Sequence, residues 1–108
     1  MDEARPTAGV LVSALIRKIE AEGGNAMVLA KGDATAGAII LLLADRGIPT
    51  ALLERTLGVG GYGWSDSGPA DPARRDAYLA DRRRTDPDLW IVELDHADAR
   101  DLALRMLG

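Results

Sequence analysis

Cysteine is absent from this 108-residue chain, which excludes disulfides and thiolate metal centres. Phenylalanine is absent too, and Tyr62, Trp64, Tyr78 and Trp90 are the whole aromatic complement. The core must therefore be built from Leu, Ile, Val, Ala and Met, and base stacking of the kind single-strand nucleic-acid binders use has little to work with. His96 is the one histidine, which speaks against a multi-histidine metal centre or a self-contained Ser-His-Asp triad. Basic charge is also short: 13 Lys and Arg stand against 17 Asp and Glu, a net charge of −4. That balance argues against a nucleic-acid partner, whose phosphates call for a basic face. Long apolar runs are missing, since the strongest, Ala34 to Ala44, is too short to span a bilayer. Met1 to Pro6 are polar, and Arg17 and Lys18 break the apolar stretch after Gly9, so no signal-peptide layout is seen. The expectation is a cytoplasmic protein with no membrane partner, no cofactor and no metal.

What is present reads as one small globular domain, with 47% apolar and 28% charged residues. Residues 1–8 read as a flexible N-terminal arm and 9–108 as a single α+β domain. Thr7 can cap a helix over 8–22, with Val12, Leu15, Ile16 and Ile19 on one stripe and Gly23-Gly24 as its stop. A short strand at 26–30 follows, then a Lys31-Gly32-Asp33 turn, a strand at 36–44, a second turn at Asp45-Arg46-Gly47 and a strand at 50–57. The Gly-rich run 58–63 leads to Trp64, which starts a short fourth strand or anchors the loop. Asp71-Pro72 opens a helix to about Arg84, and Asp86-Pro87 stops it. Leu89 to Leu94 is a strand, and Asp95 caps a last helix whose stripe is Ala99, Leu102, Ala103, Met106 and Leu107. The expected fold is α+β: an antiparallel sheet, a meander of three to four strands plus one late strand, with three helices, in the order α-β-β-β-(β)-α-β-α.

Strand alternation puts Ala38, Ile40 and Leu42 on one face of the 36–44 strand and Ile39, Leu41 and Leu43 on the other. Both faces are apolar, so both must be covered. Either the three helices split across the sheet, or a second copy covers one side. A homodimer is the expectation carried forward.

The polar residues offer several candidate sites. Gly58-x-Gly60-Gly61-x-Gly63 resembles a phosphate cradle, but no helix and no Lys-Ser or Lys-Thr pair follows, so a flexible connector fits better. Lys31, Asp33 and Thr35 share a hairpin tip and could gather an anion; a plain turn uses the same residue types. Glu54 and Arg55 are adjacent on a strand and so point to opposite faces. Arg55 could pair with Glu93 if their strands are neighbours, as a ligand site or as a structural ion pair. Arg74, Arg75, Arg82, Arg83 and Arg84 form the one basic cluster. Cations suit a helix C-terminus, and Asp76, Asp81, Asp86 and Asp88 lie close enough to neutralise them. Trp90 with Val92 and Leu94 makes an apolar face, and His96 reads as a surface residue.

Taken together, Val12-Ser13-Ala14-Leu15-Ile16-Arg17-Lys18, Glu22-Gly23-Gly24, Gly32-Asp33-Ala34-Thr35-Ala36-Gly37-Ala38, Glu54-Arg55 and Asp86-Pro87-Asp88-Leu89-Trp90-Ile91-Val92-Glu93 resemble the small bacterial family called domain of unknown function 1491. The resemblance covers nearly the whole chain. Its specific part is the Gly-Asp-Ala-Thr-Ala-Gly-Ala and Asp-Pro-Asp-Leu-Trp strings; the family pattern has a Trp in the first helix where this chain has Leu11. It implies the domain boundaries and a cytosolic bacterial setting, and it lends no catalytic residues. The residues lean away from an enzyme. The first expectation is an interaction module, homodimeric or bound to a protein partner. The second is a small-ligand or anion site at Lys31, Asp33 and Thr35 or at Arg55 and Glu93. The third is weak RNA binding through the arginines at 74–84.

Overall fold

Thr7 caps helix α1 (Ala8–Ala21), accepting a hydrogen bond from Val10 N at 3.4 Å. The helix buries Ala8, Leu11, Val12, Leu15 and Ile19, with Ile16 partly covered, and ends at Gly23, whose φ of 91° suits glycine alone. The five strands are β1 (Asn25–Ala30), β2 (Ile39–Asp45), β3 (Ile48–Gly58), β4 (Gly61–Asp66) and β5 (Trp90–Asp95). Helix α2 (Pro72–Thr85) starts behind Asp71 with Pro at its first position, and α3 (Ala99–Met106) closes the chain. The computed structural model describes residues 6–59 and 61–106. Residues 1–5 of the expected arm and Leu107 of the last stripe fall outside these residues, while Thr7 and Ala8 are the cap and first turn of α1.

The α+β class, the three helices and the element order are as the sequence led us to expect. The sheet is mixed, in the order β1-β5-β2-β3-β4, with one parallel pairing between β5 and β2. The meander therefore holds for β2, β3 and β4 but not for β1, because β5 inserts between β1 and β2. The reason is burial. Trp90, Val92 and Leu94 bury one face of β5 and Ile91 is buried on the other, so the strand takes an interior position beside β2. The 31–38 segment is consequently not a hairpin tip; it arches over the start of β5 to join β1 to β2.

Both faces of β2 are covered by the chain itself. Ile39, Leu41 and Leu43 join Leu53, Trp90, Val92 and Leu94 under α1 and α3. Ile40 and Leu42 join Leu52, Leu89 and Ile91 under Leu79 of α2. The splitting of the helices across the sheet thus removes the need for a second copy to cover β2.

The cap expected of Asp95 is reassigned. The Asp95 carboxylate accepts Arg46 N and Gly47 N, each at 2.8 Å, and so braces the β2–β3 turn, where Arg46 sits at φ 55°. The start of α3 is held by His96 instead, whose Nδ1 accepts from Asp98 N at 2.8 Å and whose Nε2 lies 3.0 Å from Glu22 O. Those two contacts fit the tautomer with its proton on Nε2.

The arch is the most tightly constrained part. Asp33 N donates to Asp88 O at 3.0 Å, Trp90 N to Ala38 O at 2.8 Å, and the Trp90 indole N–H to Asp33 O at 2.8 Å. Gly32 and Gly37 straddle the Asp88 carbonyl, and a Cβ on either would run into it. At Gly63 on β4 a Cβ would meet nothing within 4 Å. Gly32→Ala is therefore expected to destabilise the domain by about 1–3 kcal/mol, as overfilling of a packed site does. Gly63→Ala should leave stability unchanged or slightly raised. Urea denaturation of the two variants checks the contrast, and equal effects would contradict it.

Candidate functional site

The two strings specific to the family resemblance meet in space. Asp33 anchors the first, its carboxylate accepting Thr35 N at 3.1 Å and Ala36 N at 2.8 Å. The second supplies the Asp88 carbonyl and Trp90 that fix the arch from beneath. The start of α1 docks on the same arch, Ala8 N donating to Thr35 O at 3.2 Å and Gly9 N to Ala34 O at 2.8 Å. The first amides of α1 are thereby satisfied by protein carbonyls, so an anion cannot take them without displacing those bonds.

This framework forms one wall of a groove of about 490 Å³. Pro6, Thr7, Ala8 and residues 35–38 line one side, and Arg55 of β3 and Tyr62 of β4 line the other. The guanidinium carbon of Arg55 lies 4.3 Å from the centre of the Tyr62 ring. Arg55 is half-buried, and its Nε is shielded from solvent without a hydrogen-bond partner. Among the described residues no carboxylate lies within ion-pair distance of it, and none lines the groove. A cation with an unfilled donor, flanked by the Thr7 and Thr35 hydroxyls and a π face, suits a carboxylate or phosphate.

Thr35 and Arg55, from two separate sequence candidates, therefore line the same groove. The other candidates do not join them. Lys31 is exposed beyond the end of β1, and the Asp33 carboxylate is spent within the arch. Glu93 stands on β5, in register with Leu42 and Met27 on the α2 side of the sheet, whereas Arg55 faces the α1 side. Strand β2 also separates their two strands, so the expected Arg55–Glu93 pairing does not form.

The acid partnered on the α2 side is Glu54. Arg82 holds it bidentately, at 2.7 and 2.8 Å, while Ser67 and the Tyr78 hydroxyl complete the cluster. The Arg82 hydrogen bond holds the Glu54 carboxyl below its ordinary value of 4.5 against an opposing desolvation, and the same bond raises the Arg82 guanidinium. Arg83 donates to Leu89 O at 3.0 Å, and Arg84 pairs with Asp81. Of the five arginines at 74–84, Arg75 also has an acid within reach, Asp76 at 3.5 Å, so Arg75, Arg82, Arg83 and Arg84 each meet a different partner.

Sequence reasoning missed Tyr62 and Thr7 as groove residues. The signal for Tyr62 lay in the Gly-rich run, which forms the β3–β4 hairpin with Gly58 opposite Gly61. That register sets Arg55 opposite Trp64, and Tyr62 is its diagonal neighbour on the same face.

Comparison with known proteins agrees with the resemblance. A family model described as a protein of unknown function, DUF1491, matches residues 7–104. The chain belongs to the DUF1491 family. A crystal structure of a DUF1491 protein from Caulobacter crescentus CB15 is 35% identical, covering 89% of this chain and 92% of that one, with a TM-score of 0.77. An NMR structure of a DUF1491 protein from the same organism is 34% identical over 93% and 94%, with a TM-score of 0.71. A solution structure of an A. tumefaciens protein is 29% identical over 85% and 86%, with a TM-score of 0.73. No curated protein matches. Among the described residues no helix is long and apolar enough to cross a membrane, and no group of three His, Asp or Glu is placed to hold a metal.

The Glu54–Arg82 clamp makes a testable distinction within this DUF1491 domain. Arg82→Met is expected to destabilise it by about 1–3 kcal/mol, because a half-buried carboxylate loses a charged partner. Arg84→Ala should cost no more than about 0.5 kcal/mol, as an exposed pair does. Glu54 titrates lower in the folded chain than in the unfolded one. Its contribution is therefore complete above the unfolded value and is lost as pH falls through the folded one. Stability measured from pH 7 down to pH 3 should accordingly fall less steeply for Arg82→Met than for the parent chain.

Proposed function

We propose that this DUF1491 domain is a binding module that captures the carboxylate or phosphate of a small ligand in the groove between the 35–38 arch and the β3–β4 hairpin. The observation that carries this reading is Arg55: a half-buried guanidinium with an unfilled Nε donor and no carboxylate beside it among the described residues. A buried polar group without a partner is destabilising, so a chain that keeps one is favoured by a ligand that fills it. Tyr62 fixes the guanidinium from one side, and Thr7 and Thr35 offer hydroxyls to the remaining oxygens of an anion. Among the described residues, the side chains lining the groove are donors and apolar groups, which suits capture of an anion. The solved relatives come from bacteria, which supports a bacterial setting.

Amide chemical shifts of the labelled chain, titrated with inorganic phosphate, a nucleoside monophosphate and benzoate, test the reading. Shifts are expected at residues 7–9, 35–38, 55 and 62 for at least one probe. The same probe at a hundred times its dissociation constant should raise folding stability by about 2.7 kcal/mol. Arg55→Gln should remove both effects while folding normally. Probe shifts that persist unchanged in Arg55→Gln, or no response to any of the three, would overturn the assignment.

A further inference from the structure

The other place where the described chain leaves polar backbone and apolar surface together is β1. It pairs only with β5 and so forms an edge of the sheet. Its six residues, Asn25 to Ala30, carry no charge and no proline, the side chains that usually blunt an edge. Met27 is 58% exposed, Leu29 48% and Val28 38%, three consecutive large apolar residues beside unpaired backbone groups. The one protective feature is a register shift between Val28 and Ala30, which leaves Asn25 to Val28 regularly paired to β5. The opposite edge differs: β4 carries Asp66, which pairs with Arg100 at 3.0 Å.

We infer that β1 is the surface on which a second copy of this chain adds its own β1, antiparallel and about a two-fold axis, to make one continuous sheet across two protomers. Three features favour a second copy as the occupant. An uncharged strand sets no like charges opposite each other when it pairs with itself. Exposed Lys31 follows the strand and Glu22, whose carboxylate also meets Lys18 at 3.1 Å, precedes it by three residues, and antiparallel pairing brings the Lys31 end of one copy toward the Glu22 end of its partner. The two-fold arrangement also sets exposed Met27 on one face and Val28 on the other beside side chains of the partner's β1. The inference is independent of the Arg55 groove, which lies on the far side of β2.

Sedimentation equilibrium of the full chain from micromolar to near-millimolar concentration is the test, joined to hydrogen exchange of the β1 amides. A monomer–dimer equilibrium is expected, with protection of amides in Asn25–Ala30 rising as the dimer forms. The double variant Met27→Lys, Leu29→Lys should weaken self-association by about tenfold or more, since like charges then face each other across the pair. A monomer at every concentration would overturn the inference and leave this edge to a foreign strand. A dimer whose β1 amides gain no protection would also overturn it, even if the lysine variant failed to fold.

Discussion

Two strands that bury apolar side chains on both of their sides control this molecule. β2 and β5 present large apolar side chains both upward and downward, and neither can lie at a margin without exposing them to water. Setting them side by side solves both requirements, and the solution is parallel because β5 reaches its place after a long excursion through β3, β4 and α2. Strand β1 is thereby displaced to the edge, and its link to β2 has to cross the start of β5. The crossing explains the Gly-Asp-Ala-Thr-Ala-Gly-Ala string. A glycine is needed on each side of the Asp88 carbonyl, and an Asp is needed to close the turn between them.

The two faces are covered by different means. On one, α1 and α3 bury a continuous aliphatic layer, and the Trp64 indole donates to Ala103 O at 3.1 Å to tie the β-hairpin to the last helix. On the other, α2 buries only Leu79 outright and is otherwise densely charged. A helix with so little apolar contact needs directional bonds to hold its position. Arg82 to Glu54, Tyr78 to Ser67 and Arg83 to Leu89 O supply them. Two arginines of the cluster, Arg82 and Arg83, are therefore committed to attaching the helix to its own sheet.

Helices and strands were legible because their signals are local. Thr7, Gly23-Gly24, Asp71-Pro72 and the alternation of β2 and β5 each act within a few residues. Double coverage of β2 was legible too, since it follows from the side chains of one strand. Strand order was not, because the choice between a meander and an inserted β5 depends on comparing burial in segments fifty residues apart. Sequential strands pair as neighbours often enough that the meander was the natural expectation. The ionic partnerships failed with the strand order. Glu54 and Arg55 were correctly assigned to opposite faces, but which charge lay on each face depended on where α2 came down.

That adjacency joins scaffold to site. Consecutive residues on β3 project to opposite sides of the sheet, so Glu54 takes the α2 side and Arg55 the groove side by geometry alone. Here the sheet itself, with Leu53 and Trp64 buried beside Arg55, keeps them apart. Glu54 is already saturated by Arg82, Ser67 and their bonds, and has little left to offer a second cation. Among the described residues no carboxylate offsets the positive charge of Arg55, which lines a groove fixed by the arch.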